Sequence, residues 1–172
     1  MTAYTIGHGT RPLEELVATL AAAGVQTLVD VRRFPGSRRN PQFGQARLAQ
    51  AVEAAGIGYR HELELGGRRS REPGEERFSC LRVAAFRSYA ARMARPEWQA
   101  ALMDALAEPA PCFLCAETAW RSCHRRLIAE LLHARGHAVV HLVSPTERQR
   151  HVPWDEAEAR DGRLYLCGNL VA

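Results

Sequence analysis

Short apolar runs alternate with helix-periodic segments along this chain, and no other feature of its 172 residues constrains the fold as much. Residues 3–6, 25–31 (VQTLVDV), 57–63, 112–116 and 137–143 (HAVVHLV) are short strand-like runs followed by Gly7, Arg32, Glu64, Glu117 and Ser144. Between them, apolar residues recur three and four apart. Leu13, Leu16, Val17 and Leu20 run up to Gly24, and residues 45–55 run up to Gly56. Helices are also expected over 78–94, over 96–107 with Pro96 in the first helical position, and over 125–134 before Gly136. Strands that are nearly continuous apolar runs belong in a sheet covered on both faces, and strand–helix alternation makes that sheet mostly parallel. The expected fold is a single Rossmann-like α/β domain with about five strands flanked by helices. Residues 1–143 make up the domain. Residues 144–172 form a polar C-terminal extension, packed on the domain or completing it, with a late strand at 163–167.

Composition narrows the partners. The chain has no lysine, so all 23 basic residues are arginine, and the formal net charge is +4. Arginine offers a planar fork suited to phosphate and carboxylate. An excess of +4 with no basic helix argues against long duplex DNA as the partner. No apolar run approaches the roughly 20 residues of a membrane helix, and residues 1–6 carry no basic leader. A cytoplasmic protein with no membrane partner is expected. Five cysteines, an odd and unevenly spaced number, point to free thiols rather than a disulfide framework. A chain of this length needs no such staple to be stable.

Ligands in an open α/β sheet bind beyond the carboxyl ends of the strands, and the polar residues collect there. His8 lies between Gly7 and Gly9 and is placed either as a proton shuttle or as a turn residue. Asp30 sits inside an apolar strand and needs a cation; Arg32, two residues on, shares its face. That pair is either an internal ion pair or a catalytic acid/base beside an anion clamp. The loop FPGSRRNPQF offers Ser37, Arg38, Arg39 and Asn40 to an anion, held between prolines. Cys115 ends a strand, and Cys123 and His124 open the helix that carries Arg125. Thr118 or Ser122 can cap that helix. A thiol at a helix N-terminus beside arginines has its pKa drawn down, so Cys123 is a candidate nucleophile or thiolate ligand. Cys112 and Cys115 also suit a core, and Arg125 and Arg126 also suit a surface bridge to Glu130. Seven residues separate Cys115 from Cys123, which is not the spacing of common structural zinc sites. Spacing therefore assigns no metal; a set including His8, Cys115, Cys123 and His124 would depend on the fold.

These residues carry a resemblance. Tyr4-Thr-Ile-Gly-His8, Val29-Asp-Val-Arg32, Pro35 to Phe43 with its Asn-Pro-x-Phe end, Leu65-Gly-Gly67, and Leu114-Cys-Ala-Glu117 followed by Cys123-His-Arg125 occur in order. The pattern resembles the bacterial and archaeal family catalogued as domain of unknown function 488. The resemblance implies that these blocks form one site on an α/β fold; it names neither a reaction nor a cofactor. The expected function is an enzyme-like site acting on a phosphate-bearing ligand, a nucleotide or nucleic acid. His8, Asp30, Cys115, Glu117 and Cys123 are the catalytic candidates. Arg32, Ser37, Arg38, Arg39, Asn40, His124 and Arg125 are the anion-binding ones. Two alternatives stand beside it: a thiolate/histidine metal- or haem-binding protein, without a C-x-x-C-H haem motif, and a redox-sensing module in which Cys115 and Cys123 pair.

Overall fold

Alternating side chains along each central strand sort the core into two halves. The computed structural model describes residues 1–36, 39–67 and 71–172. Its parallel strands are β1 (Thr2–Gly7), β2 (Thr27–Asp30), β3 (Gly58–His61), β4 (Pro111–Cys115) and β5 (Ala138–Leu142). They lie in the order β3-β2-β4-β1-β5, and β6 (Arg148–Arg150) adds antiparallel to β5. Leu28, Cys112 and Leu114 face one side, where α1 (Leu13–Ala22) and α2 (Gln45–Ala54) contribute Leu16, Leu20, Leu48 and Val52. Val29, Phe113 and Cys115 face the other. There α3 (Ala84–Met93), α4 (Pro96–Leu106) and α5 (Arg125–Ala134) cover the sheet with Tyr89, Trp98, Leu127 and Leu131. Each such large apolar side chain contributes about 1.5–3 kcal/mol by its burial, so the period-2 pattern of the strands dictates the layers.

The expected α/β class with a mostly parallel sheet is what forms, with five α-helices among the described residues. The boundaries differ where tertiary contacts intervene. The third strand stops at His61, because Leu63–Leu65 turns into a 3-10 helix that buries Leu65. The helix expected from residue 78 begins at Ala84; Glu75–Phe78 is a separate 3-10 turn. The segment between them carries a covalent link. Cys80 and Cys167 form a disulfide, with Cα atoms 5.7 Å apart across 87 residues of sequence. The expectation that all five cysteines are free thiols is thus corrected for these two, while Cys112, Cys115 and Cys123 are free and buried. The C-terminal segment is more ordered than a polar tail. Strands β7 (Ala157–Arg160), β8 (Arg163–Leu166) and β9 (Asn169–Leu170) form an antiparallel sheet, and Leu164, Leu166 and Val171 join the core beside α5. No helix among the described residues is long and apolar enough to cross a membrane.

Candidate functional site

The strand ends meet because of register. Gly7 pairs with Cys115, and Asp30 with Leu114, so β1, β2 and β4 finish side by side. The backbone continues the pairing past the strands, with His8 N–H donating to Cys115 O and Gly9 N–H to Ala116 O, both at 3.0 Å. Gly7 is required for this approach. A Cβ there would lie 1.9 Å from the Glu117 carbonyl oxygen, a contact no side chain tolerates.

Asp30 and Arg32 form the first of two clusters. Asp30 is fully buried, and Arg32 donates from Nε to Oδ1 at 2.8 Å and from Nη2 to Oδ2 at 2.5 Å. Tyr59 also donates to Oδ2 at 2.7 Å. The remaining terminal nitrogen of Arg32 donates to the Phe43 carbonyl at 2.8 Å and faces His8 Nε2 at 3.4 Å. His8 stacks on the Phe43 ring and donates from Nδ1 to the Gly9 carbonyl at 2.8 Å, which leaves Nε2 as an acceptor. Burial, and secondarily the Arg32 charge against the opposing bond to Gly9, pushes its pKa down to about 4. His8 is therefore neutral at physiological pH. Arg32 spends its donors inside the protein, although one edge of it lines a neighbouring cleft.

Cys115, Cys123 and His124 form the second cluster, at the floor of a cleft of about 260 Å³. Cys115 is the last residue of β4, and Cys123 and His124 immediately precede α5. Neither Thr118 nor Ser122 caps α5; its N-cap position is His124, without a side-chain bond. The reason is upstream. Trp120 stacks on the His141 ring at 3.8 Å and is held in a 3-10 turn, Trp120–Ser122, which delivers the chain into the helix directly. His124 Nδ1 lies 3.8 Å from Cys115 Sγ and 3.7 Å from Cys123 Sγ. Arg125, only 1% exposed, donates from Nε to Cys123 Sγ at 3.3 Å, from Nη1 to Thr5 Oγ1 at 3.3 Å and from Nη2 to the Glu117 carbonyl at 2.5 Å.

These contacts decide which thiol ionises. Burial pushes Cys123 up, but the Cys115 hydrogen bond, then the charge and hydrogen bond of His124 and the Arg125 charge, outweigh it and hold its pKa well below the ordinary thiol value. Cys115 moves the opposite way, because its bond to Cys123, its burial and the neighbouring thiolate all favour its protonated form. Arg125 is itself anchored from behind. Thr5 donates to His141 Nδ1 at 2.7 Å, and His141 Nε2 contacts His151 Nδ1 at 3.1 Å. Burial, then the His151 and Arg125 charges, keep His141 neutral by lowering its pKa to about 3.

The cleft walls come from elsewhere in the chain. Phe34, Val83, Phe86 and Tyr89 give an apolar side, and Arg33, Arg92 and Glu117 a polar one. Arg92 is shared with Glu64 at 2.5 Å and Glu72 at 3.7 Å. Gly67 lies against His124; a Cβ there would stand 2.6 Å from Nδ1 and 2.9 Å from Cγ of the ring. Gly67→Ala is expected to push the imidazole off the two sulfurs and to cost about 1–3 kcal/mol as an overpacking change, measurable as a lower urea midpoint.

Of the sequence candidates, Cys115, Cys123, His124 and Glu117 line this cleft, as Arg32 does in part. Arg125 lies behind Cys123, and His8 and Asp30 are buried beside Arg32. Arg39 is exposed, and neither it nor Asn40 lines the cleft. Ser37 and Arg38 lie outside the described residues. Sequence reasoning missed Thr5, Tyr89, Phe86 and Arg92. The α3 residues have the spacing of core positions, and only their end-on view of the cleft sets them apart.

Together these features define an α/β protein with a thiol-bearing site at the carboxyl edge of its parallel strands. The family model described as Domain of unknown function DUF488 matches residues 12–132, and the chain belongs to that family. Comparison with curated proteins and with solved structures found no match.

Proposed function

We propose that this protein is an enzyme whose reactive centre is the Cys115–Cys123–His124 triangle, and whose substrate is a small molecule bearing a phosphate or similar anionic group. The observation that carries this reading is the Arg125 Nε–H aimed at Cys123 Sγ at 3.3 Å, on the floor of the cleft. A buried guanidinium donating to a sulfur favours the thiolate, the reactive form of cysteine. The cleft volume of about 260 Å³ suits a small ligand rather than a polymer. Its apolar side suits a flat ring, and Arg33 and Arg92 suit an anion, which competes with Glu64 and Glu72 for Arg92. Arg32 and Arg125 support the site from within instead of clamping the ligand, since their donors face protein atoms.

Iodoacetamide labelling followed by peptide mass spectrometry tests the centre. Cys123 is expected to react ahead of Cys112 and Cys115, and to stay reactive at a lower pH than an ordinary thiol, because its pKa is lowered. A rate that follows pH as an ordinary thiol's does, or equal labelling of all three, counts against it. Nucleoside monophosphates and inorganic phosphate are expected to raise the melting temperature by linkage; no shift with any of them removes the anionic substrate.

A second reading rests on the closeness of the two sulfurs, which with Nδ1 lie within 4.8 Å of one another. Peroxide would convert Cys115 and Cys123 to a disulfide, the two thiol hydrogens leaving as peroxide is reduced to water. A peptide pair lighter by about 2 Da after mild peroxide marks that path.

A further inference from the structure

We propose that Cys115, Cys123 and His124 bind one zinc-type metal ion, with a fourth coordination position open to the cleft. This deepens the proposed function by naming the group its reactive centre would hold, and it rests on that reading for the role of the open position. The geometry is specific. Sγ of Cys115, Sγ of Cys123 and Nδ1 of His124 all lie within 4.8 Å of one another, and Nδ1 is nearly equidistant from the sulfurs, at 3.8 and 3.7 Å. Those lengths are at the outer limit of a hydrogen bond to sulfur. They are close to the ~3.6 Å that separates nitrogen and sulfur ligands on a tetrahedral ion with bonds of about 2.0–2.1 and 2.3 Å. Two thiolates and an imidazole are the donor set of zinc and other thiophilic ions.

The surroundings agree. Three protein ligands and an open position are the arrangement of catalytic zinc rather than structural zinc. The open side faces the cleft, since all three residues line it. The ligands sit on the end of β4 and the entry of α5, which the parallel pairing and the core hold in place. Arg125 Nε–H occupies one lone pair of the Cys123 sulfur and leaves others for the metal, an outer-shell role that stabilises a bound thiolate. Gly67 provides the space beside Nδ1 that any side chain would fill. His8 does not belong to the set, because its free nitrogen faces Arg32.

The test uses the full chain with its Cys80–Cys167 link intact, stripped by a chelator and then loaded with Zn²⁺ or with Co²⁺ as a coloured stand-in. One zinc per chain is expected after gel filtration, and a thiolate-to-cobalt charge-transfer band with tetrahedral d–d absorption. Cys115→Ser, Cys123→Ser and His124→Ala are each expected to weaken binding beyond the roughly 10–100-fold cost of losing an outer-shell partner. Cys112→Ala, altered on the opposite face of the sheet, is expected to bind as the wild type does. Zinc is also expected to protect Cys123 from iodoacetamide. Wild-type protein that retains no zinc, or a folded Cys115→Ser/Cys123→Ser variant that retains it equally well, overturns the proposal. Should His124→Ala fail to fold, the two near-isosteric serine variants decide. If zinc does not bind but metal-free Cys123 still labels selectively, the metal is refuted and the thiolate centre stands. If zinc does not bind and Cys123 does not label, both readings fall.

Discussion

Arg32→Ala is expected to destabilise the protein by about 3–5 kcal/mol, the usual cost of stranding one member of a buried ion pair. Asp30 is fully buried, and both its oxygens face the Arg32 guanidinium, with the Arg32 backbone N–H and the Tyr59 hydroxyl as further donors. Removing the Arg32 side chain leaves a carboxylate away from water with two donors, the residue 32 backbone N–H and Tyr59, where it had four, and also strands the Phe43 carbonyl and His8 Nε2. At roughly 2–4 °C per kcal/mol for a chain of this size, the melting temperature falls by about 6–20 °C. Asp30→Asn is expected to destabilise in the same direction, because the guanidinium then lacks its counter-charge. Replacing both residues with apolar ones of similar volume is expected to recover much of the loss, since the pair's desolvation cost disappears with it. Urea denaturation of the three variants checks this. A fully stable Arg32→Ala protein that has lost only ligand binding would return Arg32 to the role of an anion clamp.

Reduction of Cys80–Cys167, or Cys80→Ser with Cys167→Ser, is expected to cost about 2–5 kcal/mol. The link spans 87 residues, so breaking it releases a large loop in the unfolded chain, where most of the effect arises. It also ties the turn at β8–β9 to the segment that leads into α3. That segment carries Val83, and α3 carries Phe86 and Tyr89, so the apolar wall of the cleft is fastened to the C-terminal sheet. Melts with and without reductant are expected to differ in the wild type and to coincide in the double serine variant. Equal wild-type melts would mean that the link contributes nothing to stability.

Much of the frame was legible in the chain itself. The helices at α1, α2, α4 and α5 begin and end within a residue or two of their periodic patterns, because Gly24, Gly56, Pro96 and Gly136 punctuate them. Strands β6 and β7 were not legible. RQR and AEAR are polar, and they pair through backbone groups at sheet edges that need no apolar face. The start of α3 at Ala84 differs from the periodic pattern, which runs on from Phe78 through a 3-10 turn and the disulfide-linked Cys80.

Which residues stand at the carboxyl edge of the sheet is written in the chain, since strand ends and helix starts are local matters of periodicity and turn chemistry. What those residues face depends on packing between distant parts of the chain. Arg32 turns inward to Asp30, Phe43 and His8, because a buried carboxylate must be matched by the nearest cation. Arg125 turns to Cys123 and Thr5, because strand β1 passes beneath the entry of α5. Cys115 and Cys123, too far apart in the chain for a recognisable metal motif, meet on His124 because a strand ends and the following helix begins at the same edge. Spacing along a chain measures distance only within a loop; across a strand–helix junction, register and packing set it.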